Sequence, residues 1–331
     1  MRKDNTQLTN LIYGAFVGDA IGAHVEFSSA NVAEERVNTA MAMVGGGTHQ
    51  TAPGQITDDS EMAIGLLRSI LTCEGYYEGE ALEEYRDWAK SGPFDMGGTT
   101  RTALLMSTDL KPVDHIKRVA IANRNSQANG ALMRITPMIA YCYNKNIRNE
   151  EAYTLACSDT KLTHPNLNCL VASVFYMEVA FQLLDGVEAH AAIVNTCTIV
   201  KEWSALFGRE LSTAGRGLSE MLLSCANKDT ALPACDQWDC GWWGVALKCS
   251  IWALINAKSY DHGIRAIITM GGDTDTNACI AGGLLGVIHA PSQQHIDAID
   301  NCSTASGRLR PSAWTTRNSL RVMVKRLLNQ G

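Results

Sequence analysis

Leu170-Val171-Ala172-Ser173-Val174-Phe175-Tyr176-Met177-Glu178-Val179-Ala180-Phe181-Gln182-Leu183-Leu184-Asp185-Gly186 decides the fold class. Leu170, Val174, Met177, Phe181 and Leu184 recur at the three- and four-residue steps that stack side chains on one helical face, and the stripe stops at Gly186. Toward the C-terminus Leu247, Ile251, Leu254 and Ile255 repeat the pattern, and Leu320, Val324, Leu327 and Leu328 repeat it again after the starting residues Asn318 and Ser319. Alternating polar and apolar runs joined by hairpin turns are missing. Even Asn129-Gly130 is followed by Ala131-Leu132-Met133-Arg134, which reads as helix. The chain is therefore predicted to be all-α. Its Gly/Pro-rich stretches, Gly45 to Gly54 and Ser91 to Gly98, are too short to serve as linkers, so a single domain over 1–331 is expected.

Composition narrows the function classes. The 331 residues carry 28 Lys and Arg against 34 Asp and Glu, a net charge of −6, with 46% hydrophobic and 19% charged residues. That is an ordinary folded chain, with no case for disorder. No basic stripe is present for nucleic acid; the one local cluster, Arg321, Lys325 and Arg326, reads as the solvated face of a last helix. The polar start, Met1 to Gln7, has no apolar signal core, and no run of eighteen apolar residues provides a membrane span. Eleven scattered cysteines without zinc-ligand spacing fit a reduced, cytoplasmic chain whose thiols fill core space, and the acceptor-like Asn301-Cys302-Ser303 then carries no meaning.

Three short regions depart from this plain background. Gly14, Gly18 and Gly22 lie four apart on a helix expected from Leu8 to Ala23, which leaves one face as bare backbone: either a tight helix contact or a place where something else approaches closely. Thr57-Asp58-Asp59-Ser60-Glu61 opens an amphipathic helix; alone it reads as a capping box made by Asp58 and Glu61. Gly271-Gly272-Asp273-Thr274-Asp275-Thr276 opens another, with more carboxylate than capping requires. If the two clusters converge, they supply four carboxylates and two hydroxyls. Hard oxygen donors of this kind suit Mg²⁺ or Mn²⁺, and four negative charges are balanced better by two cations than by one.

These residues resemble the ADP-ribosylglycohydrolase family: Gly14-Ala15-Phe16-Val17-Gly18-Asp19-Ala20-Ile21-Gly22 with Glu26, then Pro53 to Met62, then Gly271 to Thr276, in the family's order. The likeness is nearest to the dinitrogenase reductase-activating branch. It implies a compact orthogonal helical bundle with a binuclear Mg²⁺ or Mn²⁺ centre that cleaves the N-glycosidic bond between ADP-ribose and a protein arginine. The partner implied is an ADP-ribosylated protein, and ADP-ribose is the product. By position Thr57, Asp58, Asp59, Asp273, Asp275 and Thr276 correspond to the metal ligands, and Glu26 to the acid beside them. The loop Trp88 to Gly97 resembles the one whose aspartate works on the ribose, giving Asp95 a catalytic role beside Glu26 and placing Gly97 at the substrate. Ser126, Gln127, Asn129 and Gly130 resemble the segment that cradles diphosphate and ribose; by itself that segment is a helix N-terminus with spare amides. His164 matches a cleft-lining histidine, and Trp242 an aromatic contact to ADP-ribose. Ser60 replaces the usual threonine, and Gly98 stands where the branch carries a polar amide. Two other readings stay open, a hydrolase of another ADP-ribose linkage and a catalytically silent ADP-ribose-binding protein.

Overall fold

The computed structural model describes residues 5–106, 109–302 and 319–329. Among them the chain forms sixteen α-helices. The first eight are α1 (Thr6–Gly22), α2 (Glu34–Met41), α3 (Asp58–Cys73), α4 (Glu78–Lys90), α5 (Gly98–Leu105), α6 (Pro112–Ala122), α7 (Thr136–Lys145) and α8 (Asn149–Lys161). The second eight are α9 (Leu167–Leu184), α10 (Ala189–Ala205), α11 (Arg209–Cys225), α12 (Trp243–Asn256), α13 (Tyr260–Thr269), α14 (Thr274–Ile288), α15 (Gln293–Asn301) and α16 (Ser319–Leu328). Among the described residues β-pairing is limited to two isolated bridges, Gly46 with Thr51 and Ala128 with Trp242. The all-α expectation holds.

The centre of the fold is the antiparallel pair α1 and α14, pressed together by their glycines. A Cβ built on Gly14 would lie 2.3 Å from the Gly282 carbonyl oxygen, and one on Gly18 would lie 2.1 Å from that of Ala278. One on Gly22 would lie 2.4 Å from Asp275 Cα. The glycine stripe is thus a helix contact, and backbone is what approaches it. Hydrogen bonds from surrounding helices lock the pair: Tyr260 donates to the Gly14 carbonyl, Tyr176 to that of Ile280 at 2.8 Å, and Thr274 to that of Gly22 at 2.7 Å. Because the helices run in opposite directions, the C-terminus of α1 meets the N-terminus of α14, and the N-terminus of α3 reaches the same place. Two positive helix ends therefore face one point.

The remaining helices cover this pair. The stripe that decided the fold becomes α9, buried along nearly its whole length. It has the length and apolar character of a membrane-crossing helix, but 89% of that window lies inside the fold. Its polar residues are paired: Tyr153 donates to Glu178 at 2.6 Å and Gln182 to the same carboxylate at 3.0 Å. In α16 Leu320, Val324, Leu327 and Leu328 are buried as predicted, whereas the starting residue Asn318 lies outside the described residues. Its basic cluster is more than a solvated face. Arg321 pairs with Asp297 at 2.8 Å and Asp300 at 2.7 Å, and Arg326 donates to the Leu71 carbonyl. The eleven cysteines are free thiols, eight of them buried, in keeping with a space-filling role. Ala131 to Arg134, expected as helix, form a run of turns, and α7 starts only at Thr136. Arg134 is drawn into the interior instead, with Asp159 at 3.0 Å and Thr163 at 2.8 Å.

Candidate active site

Where the three helix ends meet there is a cavity of about 220 Å³, lined by both acidic motifs. Asp58 comes from α3, Asp273, Asp275 and Thr276 from the start of α14, and Glu26 from the turn after α1. Asp95 and Gly97, from the loop between α4 and α5, form another wall, and Asn129, Gly130, His164 and Gly241 complete it. Asp59 and Thr57 are fully buried behind this surface. The motifs interlock directly: Thr276 donates to Asp59 Oδ1 at 3.2 Å, Asn129 to Asp273 Oδ2 at 2.7 Å, and the Gly97 amide to Asp58 Oδ2 at 3.3 Å.

The capping box expected at α3 is absent. Thr57 is the cap residue by position, but its side chain makes no cap hydrogen bond to its own helix, and Glu61 accepts from Trp88 Nε1 at 2.8 Å. The orphan amides are satisfied by Asp19, which reaches across from α1. It accepts from the amides of Thr57 and Ser60 at 3.1 and 3.2 Å, from the Thr57 hydroxyl at 2.8 Å, and from the Ser60 hydroxyl at 2.5 Å. Asp19 was missed as a site residue. Its signal was present, since an aspartate next to Gly18 on a helix face made for close packing has to lie inside. Ser60 keeps a hydroxyl at this position, and that hydroxyl makes the contact to Asp19.

The electrostatics are those of a site built for positive charge. Burial pushes the carboxyls of Asp58, Asp59 and Asp275 well above the usual carboxylate range, and the neighbouring carboxylates add to the shift. Asp273 is raised by burial and held back by its hydrogen bond from Asn129. Burial takes Asp19 to about 6, against the bonds from Ser60 and Thr57, and takes Glu26 to about 7, against the bond from His49. Two buried oxygens, Asp59 Oδ2 and Asp275 Oδ2, accept no hydrogen bond. Two sets of donor atoms, each within 4.8 Å, share Asp275: Asp19, Asp59 and Asp275, and Glu26, His49, Asp95 and Asp275. Orphaned carboxylate oxygens crowded at this spacing are what a hard divalent cation relieves, and the donor set fits one.

The other residues singled out in the sequence divide between this cavity and its rim. His164 lines the cavity with its Nδ1 2.8 Å from the Thr163 hydroxyl, which itself accepts from Arg134. With the hydroxyl proton donated to Nδ1, the ring hydrogen sits on Nε2. Burial, aided by the nearby Arg134 charge, lowers the ring to about 3, so His164 is a neutral donor at the cavity wall. Ser126 and Gln127 do not reach the acidic cavity. Ser126 is bonded to Thr99 at 2.7 Å, and the Gln127 side-chain oxygen Oε1 accepts from the indoles of Trp242 and Trp243, each at 3.3 Å. Gln127 and Trp242 line two neighbouring grooves of about 660 and 560 Å³. The segment is no helix N-terminus, because α7 begins ten residues after Ser126.

The sequence model described as ADP-ribosylglycohydrolase matches residues 3–328. The chain belongs to the ADP-ribosylglycohydrolase family. A relative from Acanthamoeba polyphaga mimivirus, provisionally named an ADP-ribosyl glycohydrolase, is 30% identical over 317 residues, covering 88% of this chain and 90% of its own. The ADP-ribosyl-dinitrogen reductase glycohydrolase of Rhodospirillum rubrum is 35% identical over 124 residues, 38% of this chain and 40% of its own. The ADP-ribosylarginine hydrolase of Serratia proteamaculans is 35% identical over 100 residues, 28% and 26% of the two chains. A solved structure described as an ADP-ribosylglycohydrolase-related protein complex superposes with a TM-score of 0.75, at 20% identity, over 100% of this chain and 99% of that one. That likeness shares the fold.

A pH dependence follows for this ADP-ribosylglycohydrolase. Carboxyls whose folded pKa is raised leave the folded chain with more bound protons than the unfolded one, so stability falls as pH rises toward those values. The half-buried His24 and the buried His115 and His164, with lowered pKa, act in the opposite sense, but only below the ordinary histidine value of 6.5. Between pH 6.5 and 8 the carboxyls remain, Glu26 at about 7 among them. The melting temperature of chelated protein is expected to fall across this window, and saturating Mn²⁺ to flatten or reverse the slope. Thermal melts with and without chelator check this; a flat or rising profile in the chelated protein contradicts it.

Proposed function

We propose that the chain is a hydrolase that releases ADP-ribose from modified protein side chains, arginine above all, and that it works with two divalent cations, Mg²⁺ or Mn²⁺. The observation that carries this reading is the meeting of the two acidic motifs around buried oxygens that accept no hydrogen bond, Asp59 Oδ2 and Asp275 Oδ2. Asp58, Asp59, Asp273, Asp275, Thr276 and Thr57 are the proposed ligands, with Asp19 supporting them from α1. Two divalent cations held by these residues would supply Lewis-acid chemistry, lowering the pKa of a water so that it could act as a nucleophile at neutral pH.

The side chains do the rest. Carboxylates around the ribose offset positive charge that would oppose an oxocarbenium-like transition state. Glu26, buried and facing the reacting space beside Asp95 and Asp273, is placed to pass a proton to or from the reacting groups. Asp95 faces the same space from the opposite loop and is the second proton handler. His164 offers its Nε2–H to substrate oxygen, and Asn129 and the Gly97 amide hold Asp273 and Asp58 in place. Arginine linkage is favoured by the Ser91 to Asp95 loop, which resembles the arginine-directed branch, and by relatives named as arginine-directed hydrolases.

The test is ADP-ribose release from arginine-, serine- and acidic-residue-linked substrates by metal-loaded protein. Release from the arginine linkage is expected, and release from serine alone overturns the arginine reading. In the same assay Asp95→Asn is expected to lower kcat by about 10²–10⁴-fold, the usual worth of a general acid or base, while ADP-ribose binding changes little. Equal losses in binding and turnover would instead make Asp95 a substrate-positioning residue.

A further inference from the structure

We propose that His49 is a positioning residue that holds the carboxylates of Glu26 and Asp95 at the working face of the cavity. It does not line the cavity, and although its nitrogen belongs to the second donor set, its direct polar side-chain contacts are with these two carboxylates. Its Nε2–H donates to Glu26 Oε2, and the same nitrogen lies 3.7 Å from Asp95 Oδ2. Those two carboxylates come from separate loops, one after α1 and one after α4, and the ring is the bridge between them. Aromatic neighbours fix its plane: Phe27, next to Glu26, meets the imidazole edge-on at 6.3 Å, and Phe94, next to Asp95, lies at 5.6 Å.

The loop that carries His49 is built to deliver it. Gly46 and Thr51 exchange backbone hydrogen bonds at 2.8 and 3.1 Å, closing a tight turn. The turn is fastened to the chain after α1, since Thr48 donates its hydroxyl to the Glu26 carbonyl at 2.7 Å. Gly47 has φ +69°, and a Cβ on it would stand 2.3 Å from the His24 carbonyl oxygen, so only glycine lets the loop sit this close. Without the ring, the contact that joins Glu26 to the loop carrying Asp95 is lost. With it, both stay aimed at one point. The kinetic consequence rests on the function proposed above; the geometry does not.

The experiment compares wild type, His49→Ala and His49→Gln. With an arginine-linked ADP-ribosylated substrate, His49→Ala is expected to lower kcat about 10–100-fold, the usual cost of losing an outer partner of a reacting group, with KM and ADP-ribose affinity changed little. His49→Gln, whose amide can still donate to a carboxylate, recovers most of the loss. Wild-type kcat in His49→Ala, or equal damage in both variants, overturns the proposal. Loss of the Mn²⁺-induced rise in melting temperature in His49→Ala also overturns it, because the ring would then be a ligand. A readout free of activity keeps the test separate from the proposed function. In chelated protein the His49 ring ¹⁵N resonances are expected to move in Glu26→Gln, and unmoved resonances overturn the proposal even if wild type releases no ADP-ribose.

Discussion

Replacing Asp275 by alanine removes the response to Mg²⁺ and Mn²⁺ and lowers turnover on the order of 10³-fold or more. Asp275 is the residue common to both sets of candidate ligand atoms, and its Oδ2 is buried without a hydrogen bond. Metal charge stabilisation is worth several kcal/mol of transition-state energy, and each 1.36 kcal/mol is about tenfold in rate, so loss of the shared ligand accounts for that range. A structural role gives a different pattern. In chelated protein Asp275 faces Glu26, Asp59 and Asp273, all of which raise its pKa, so its removal relieves repulsion. Chelated Asp275→Ala is therefore expected to melt at or above chelated wild type, and to fall below it only once metal is added. Calorimetric metal titration beside thermal melts checks both parts. A variant that melts early without metal, or that keeps the full metal response, contradicts the assignment.

Adding a single methyl group at Gly18 has the largest expected effect on stability. The new Cβ would lie 2.1 Å from the Ala278 carbonyl oxygen and 2.5 Å from its carbon, and both are backbone that cannot swing aside. Helices α1 and α14 have to separate, and overpacking of this kind typically costs about 1–3 kcal/mol. Gly18→Leu forces a wider gap and is expected to prevent folding. The separation also moves Asp19 away from Thr57 and Ser60, so the metal response of Gly18→Ala weakens along with its stability. Gly217→Ala is the control: Gly217 is exposed on α11 with nothing within 4 Å of an added Cβ, and the change is expected to stabilise by about 0.5–1 kcal/mol. Denaturant melts of the three variants decide it, and a Gly18→Ala protein as stable as wild type would show that the two helices are not in contact.

Local pattern made the helices legible, and long-range contact is what it could not supply. The stripes in α9, α12 and α16 are each contained in one helix, so their spacing was enough. The second acidic motif was plain, since Asp273 and Asp275 exceed what a cap requires, whereas the first read alone as a cap. Neither motif showed its partners. Asp19 caps a helix that starts 39 residues later, and no window of sequence around either end contains that contact. Periodicity marked Ala131 to Arg134 as helix because it counts only neighbours. The turn there answers to distant groups: Asp159, and the Gly241 carbonyl that accepts from the Asn129 amide at 2.9 Å. His49 left a fainter trace, a glycine-rich loop read merely as a connection. Trp242 was placed by resemblance at the substrate, and the structure sets it with Gln127 in the grooves beside the acidic cavity, next to Gly241, which lines both.

The central claim is that the acidic cavity works through bound divalent cations. Its most direct test is the rate of ADP-ribose release from an arginine-linked substrate, measured on one preparation before chelation, after chelation, and after Mg²⁺ or Mn²⁺ is returned. The account predicts release, then loss of nearly all of it, then recovery on adding metal. Undiminished release from fully chelated protein would contradict it.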